Sequence, residues 1–360
     1  MISRRHLLAT AGAGLALAAL PGSLLAAFAE TPTWRRFRVT TRLDVAADGA
    51  AAQAWMPLAG VSDADWVRVV DNQWSAAPGA TVERHQTTGA DLLHVRWGDG
   101  PRRLTVVSTV ETRDRALPMT TTGDAIVLPE AARSQYLRGT ALAPVDGIVR
   151  QTALAITAGA ADDLGKARAL YAWVVSNTFR EASVQGCGDG NVLRMLETGH
   201  LGGKCADINP LFVALCRAAG LPARDLYGIR VAPSRLGYAS LGPKTADVTK
   251  AQHCRAEVFL DGLGWTAMDP ADVRKVMLEE VPGGLGADAP KVEAARARLF
   301  GAWEGNWIPF NAGNDVTLPG SARATDAFLM YPQVERAADR LDCTQPQQAR
   351  YTIGAEELAI

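Results

Sequence analysis

Cysteine and histidine are scarce in this chain, five of each in 360 residues, and no two cysteines form a C-x-x-C pair. That spacing is a usual mark of a structural zinc site, so its absence leaves such a site with little support. Positive charge is not in surplus either. The 37 Lys and Arg stand against 38 Asp and Glu, with no basic run, which argues against nucleic acid as a partner. Beyond the first 29 residues no stretch is apolar enough to span a bilayer. Internal repeats and low-complexity tracts are missing too, which excludes a repeat architecture. Nothing in this inventory calls for a cofactor or a metal.

The chain opens with a different signature. Arg4 and Arg5 precede an uncharged Ala/Leu/Gly run that closes on Ala27-Phe28-Ala29, a small-x-small cleavage pattern. Residues 1–29 are therefore expected to be a signal peptide of the twin-arginine type, cleaved after Ala29, with a periplasmic or secreted product. A membrane anchor fits less well, because Pro21-Gly22-Ser23 interrupts the run. Losing both arginines moves the formal charge from −1 to −3. The remaining stretch, 30–360, is too long for one ordinary core, so more than one domain is expected. All five cysteines lie in it; an odd number leaves at least one thiol unpaired and leaves open one disulfide among the rest.

From residue 30 to about 120 the chain reads as a β-rich domain. The segments "RRFRVTTRLDVA", "AAAQAWMPLA", "ATVERHQTT", "DLLHVRWG" and "RRLTVVSTVETR" alternate in polarity, and Asp48-Gly49, Thr88-Gly89 and Gly98-Asp99-Gly100 separate them. Trp55, Trp66, Trp74 and Trp97 are expected in its core or between sheets. In 121–281 the texture changes. "ADDLGKARALYAWVVSNTF" places Leu164, Ala167, Leu170, Tyr171 and Val174 at helical spacing. A Gly-rich loop, "SVQGCGDGNV", and a short helix, "NVLRMLETG", come next. A second long helix then starts near Cys205 and stops at Gly220, with Pro222 barring continuation. In "HCRAEVFLDGLGWTAMDP" two strands flank Asp261-Gly262, a hairpin signal. This order is an α+β pattern. Residues 282–360 are expected to form an extension packed on that core.

Cys205 has an unusual address. "GGKCADINPLFVALCRAAGLPAR" puts it at the start of a helix, facing unpaired N–H groups and the positive end of the dipole, and both favour the thiolate. Gly202 and Gly203 would admit a substrate carbonyl close to the backbone, and Pro210 falls in the first turns, where a missing N–H costs little. Cys216 reads as packing, and Cys187 and Cys254 lack the helix-start position. A thiol nucleophile needs a base, and the base an orienting carboxylate. Four histidines survive export: His85 and His94 in the β-domain, His200, and His253 at the head of a strand. Asp269 is expected on the returning strand, within a rung or two of His253. Cys205, His253 and Asp269 are thus the candidate catalytic residues. A zinc site from Cys187, His200, Cys205 and His253 lacks ligand spacing. No side-chain oxyanion donor stands just before Cys205; His200 is nearest and ranks below backbone N–H groups.

Taken together, "GGKCADINPLFVALCRAAGLPAR", "QHCRAEVFLDGLGWTAMDP" and "ARALYAWVVSNTF" resemble the transglutaminase-like superfamily of bacterial exported proteins, over roughly Asp162 to Val281. The resemblance implies a papain-like core: a Cys-led helix packed on an antiparallel sheet, with Cys205 as nucleophile, His253 as general base and Asp269 as orienting residue. Asp207 matches a frequent family position with a structural role. The β-rich leader resembles the domain that often precedes such a core, and "FGAWEGNWIPFN" to "DVTLPG" resembles a tail in one bacterial subgroup. The implied function is acyl transfer at a protein or peptide amide through a Cys205 thioester, whether hydrolysis, transamidation or deamidation. The alternative is a non-enzymatic binding or assembly protein on the same fold, with Trp303, Trp307, Asn306 and Asn311 as a contact surface.

Overall fold

A computed structural model describes residues 33–47, 50–87, 89–119, 126–323, 325–337 and 339–360. The predicted signal peptide lies outside the described residues. The expected alternation is present: Arg35–Val45 buries every second side chain, as does Arg102–Thr112. Two antiparallel sheets carry the first third of the chain. One has the order Tyr351–Leu358, Arg35–Val45, Arg102–Thr112, Val67–Ala76. The other runs Asp339–Arg340, Gln333–Arg336, Ala52–Pro57, Ala90–Trp97, Ala80–Thr87. Each therefore takes strands from the far C-terminal end of the chain. Arg36 pairs with Leu358, and Trp55 with Gln333.

Trp55, Trp66 and Trp97 are buried as expected, but Trp74 is 40% exposed. It sits on Val67–Ala76, an edge strand with most side chains in solvent, so the strand has no second face to bury it against.

The third sheet supports the site. Its order is Gly264–Met268, Gln252–Leu260, Ala223–Arg230, Trp307–Asn311, all antiparallel. The hairpin closes where Asp261-Gly262 predicted, with Leu260 opposite Gly264 and Gly262 at a φ of 81°. The helix Cys205–Ala218 lies against this sheet, and the helices Gly147–Thr157 and Asp163–Asn177 cover its other sides. All of its residues are buried, including the polar Asp207, Asn209 and Arg217, so it is a central helix with no solvent face. Pro210 stands past the first turn of this helix, not within it, so the helix runs one backbone hydrogen bond short there. Trp66 of the leader stacks on Trp307 and meets Trp303 edge-on, with ring centroids 6.2 and 5.2 Å apart. Arg115 and Arg255 lie over these rings, tying the leader to the third sheet.

Candidate active site

Cys205 is the first residue of its helix, after Lys204. Asp207, the third, turns its carboxylate back: Oδ2 accepts from the Lys204 N–H at 2.9 Å, and Oδ1 from the Asp189 and Gly190 N–H groups at 3.0 and 3.1 Å. One buried carboxylate thus caps the helix and clamps the Gly-rich loop to it. That close approach explains two glycines. A Cβ at Gly188, where φ is 101°, would lie 1.9 Å from Asp207 Oδ2, and one at Gly203 would lie 2.5 Å from Asp207 Cβ. Internal packing alone thus requires glycine at Gly203, one of the two glycines expected to admit a substrate carbonyl, and Gly202 is likewise packed. At Gly202 a Cβ would meet the Phe179 ring at 2.4 Å.

His253 opens the strand Gln252–Leu260 and is buried. Its Nε2 lies 2.7 Å from Asp269 Oδ2, which leaves Nδ1 free on the opposite side of the ring, and His253 and Cys205 line the same cleft. Asp269 is not on the returning strand, which ends at Met268. It is the N-cap of the helix Pro270–Glu279, where its Oδ1 accepts from the Asp272 N–H at 3.1 Å. Asn209 bridges the two sides of the site. It donates to Asp269 Oδ1 at 3.1 Å and to the Cys254 carbonyl at 2.9 Å, and accepts from the Ala271 N–H.

A second carboxylate stands behind the first. Asp272 Oδ1 is 3.5 Å from His253 Nε2, and both its oxygens take hydrogen bonds from buried Arg230, at 2.5 and 2.7 Å. Burial and Arg230 pull the His253 imidazolium down, but Asp272 and Asp269 outweigh them and hold its pKa above the ordinary value. Burial opposes ionisation of Asp272 as well, yet Arg230 and then His253 keep it a carboxylate far below the usual range. The cluster of His253, Asp269 and Asp272 has the composition of a metal site, but Arg230 and Arg255 already supply its positive charge.

Three thiols converge. The Cys205 thiol is held well below its ordinary pKa by hydrogen bonds from the Cys187 and Cys254 thiols, and then by His253, against the effect of burial. Those two neighbours are pushed well up: Cys187 by its bond to Cys205 and then burial, Cys254 by burial and then that bond. Cys187 Sγ donates to the Gln252 carbonyl at 3.3 Å, and both neighbours favour their protonated forms beside Cys205. All five cysteines are free thiols, so the disulfide left open by the count is not formed.

Cys205 and His253 line a cleft of 630 Å³, walled also by Gln185, Tyr331, Gln347 and Tyr351. His200 is not among its walls; it is exposed and pairs with Glu181 at 2.8 Å. Trp303, Trp307, Asn306 and Asn311 are all buried and form no contact surface. Asn209 stands four residues from Cys205, on the same helix face, and Asp272 three from Asp269; that spacing was the signal for both. Arg230 and the convergence of Cys187 and Cys254 on Cys205 have no sequence signal.

A family model for the transglutaminase-like superfamily matches residues 150–270, which enclose Cys205, His253 and Asp269. An uncharacterized protein of Haemophilus influenzae is 37% identical over 295 residues, covering 78% of this chain and 79% of the relative. The chain belongs to the transglutaminase-like superfamily. Among solved structures, one named "Putative Cysteine Protease", from Cytophaga hutchinsonii, superposes with a TM-score of 0.59 at 12% identity, covering 91% of this chain and 92% of its own; it shares the fold. The periplasmic domain of TgpA from Pseudomonas aeruginosa gives a TM-score of 0.37 at 16% identity, over 74% of this chain and 97% of that one. No helix among the described residues is long and apolar enough to cross a membrane.

Proposed function

We propose that this protein is an exported cysteine acyl-transfer enzyme acting on a protein or peptide amide. The observation that carries the proposal is the relay from Cys205 through His253 to Asp269, with its 2.7 Å inner hydrogen bond, at the wall of an open cleft. The Cys205 thiolate attacks the amide carbonyl carbon, and the carbonyl π electrons move to oxygen. Collapse breaks the C–N bond as the His253 imidazolium gives its proton to the leaving nitrogen, leaving a thioester and a neutral ring. The ring then takes a proton from water or an amine as that group attacks the thioester, and the thiolate and imidazolium return. Asp269 keeps the ring turned and its charge compensated throughout.

Turnover of glutamine- and amide-bearing peptides by wild type and Cys205→Ala tests this reading. The variant should lose turnover while its circular dichroism and thermal midpoint stay nearly unchanged. Near-wild-type turnover in Cys205→Ala would eliminate the enzyme in favour of a binding or assembly protein. Export through the twin-arginine route follows from Arg4, Arg5 and Ala27-Phe28-Ala29. Its check is N-terminal sequencing of the exported chain, which should begin at Glu30.

A further inference from the structure

Apart from Cys205 itself, the charged side chains lining the cleft are cationic. Arg180, Lys204, Arg230, Lys250 and Lys275 line it, and among the described residues no carboxylate does. Two acids behind the walls offset part of this: Asp272 pairs with Arg230, and Glu279 is shared between Arg180 and Lys275. Lys204 and Lys250 have no ion-pair partner among the described residues, so the walls keep a positive surplus. The chain as a whole has a formal charge of −1, so composition does not explain this concentration.

The surplus continues beyond the cleft. A second hollow of 720 Å³ shares Thr249, Lys250, Pro346, Gln347 and Tyr351 with the first, so the two form one groove. Arg42, Arg103 and Arg350 line the far part. Two acids line it too: Asp44 lies 3.5 Å from Arg350, and Asp247 keeps its negative charge while accepting from the Thr249 N–H at 2.9 Å, so the cations still outnumber the acids here. A concave surface with a surplus of one sign focuses potential and raises the local concentration of oppositely charged ligands.

Resting on the acyl-transfer reading, we infer that the substrate is an acidic peptide segment, with carboxylate side chains flanking the amide that Cys205 attacks and extending into the second hollow. Lys204, next to the nucleophile, faces the residue beside the scissile bond. Lys250 sits where the two hollows meet, and Arg103 takes a carboxylate further along. Lys204 is half-buried and Lys250 and Arg103 are exposed, so the preference is built from several modest terms and weakens with salt.

The test uses the full chain carrying Cys205→Ala, so binding is read without turnover. Three fluorescein-labelled decapeptides of one pattern, with Glu, Gln or Lys at alternate positions, are titrated by anisotropy. The Glu peptide should bind about tenfold tighter than the Gln peptide at about 50 mM salt and lose most of that advantage by about 0.5 M. Adding Lys250→Gln or Arg103→Gln should weaken the Glu peptide about threefold each and leave the Gln peptide unchanged. Equal affinity for the three peptides overturns the inference, as does an acidic preference that neither substitution reduces. Displacement of the Glu peptide by heparin or a charge-matched oligonucleotide more effectively than by unlabelled Glu peptide overturns the peptide class. The enzyme reading fails in the wild-type turnover assay, and the charge reading fails here.

Discussion

Replacing Asp269 by Asn separates its two duties. Asp269 Oδ2 faces His253, while Oδ1 serves Asn209 Nδ2 and the Asp272 N–H. An Asn whose carbonyl takes the Oδ1 place keeps both of those bonds and still caps the helix Pro270–Glu279. Asn and Asp are comparable caps, so stability should change by less than about 1 kcal/mol. Its amide nitrogen then meets His253 Nε2, a donor against a donor. The ring answers by giving up the Nε2 proton and holding the one at Nδ1, toward Cys205. A neutral ring withdraws its share of the support while Cys187 and Cys254 keep theirs, so the Cys205 pKa should climb part of the way back to the ordinary thiol range. Each unit of climb removes about tenfold of the thiolate at a pH below both values. Serine triads lose about 10⁴-fold on this change, whereas here about 10²- to 10³-fold is expected, because Asp272 Oδ1 at 3.5 Å keeps part of the negative field. The assay is the rate of Cys205 alkylation by iodoacetamide against pH, read by peptide mass spectrometry, with urea unfolding and peptide turnover beside it. An unchanged pH midpoint together with turnover within about threefold of wild type would refute the coupling of Asp269 to the thiol.

Two further outcomes follow from the same geometry. The pH profile of kcat/KM should be bell-shaped: it rises as Cys205, held below the ordinary thiol range, ionises, and falls as His253, held above the ordinary imidazole range, loses its proton. A single rising limb centred near about 8.5 would contradict the thiolate–imidazolium pair. Asp207→Ala should release three backbone N–H groups and cost about 2–4 kcal/mol in urea unfolding, with the cleft loop losing its clamp. A cost below about 0.5 kcal/mol would show that the clamp is not structural.

What could be read from the sequence was local. Period-two alternation gave the strands whose one face is buried, and it failed for Val67–Ala76, where most side chains face solvent and nothing forces a period. Gly220 and Pro222 marked the end of the Cys205 helix, and Asp261-Gly262 marked the hairpin. Cys205, His253 and Asp269 each lie at or beside an element boundary, where the sequence carries a local signature. Asp269 was placed on a strand because Asp-Pro reads equally as a strand end and a helix start; the cap geometry decides between them. Contacts between distant segments were not legible. Arg230 reaching Asp272, Cys187 reaching Cys205, and the last strand reaching the first depend on chain reversals that no local pattern encodes.

The pairing of Arg35–Val45 with Tyr351–Leu358 also sets an order of events during synthesis. Their side chains meet across a separation of 322 residues, as Arg35 and Glu357 do. A nascent chain that has already emerged through Cys205, His253 and Asp269 still lacks this strand. It also lacks Gln347 and Tyr351, which wall the cleft. Contacts so far apart in sequence form late and slowly. Synthesis must therefore run past Tyr351–Leu358 before Cys205 gains a finished groove, and a shorter nascent chain holds the thiol without the walls of its cleft.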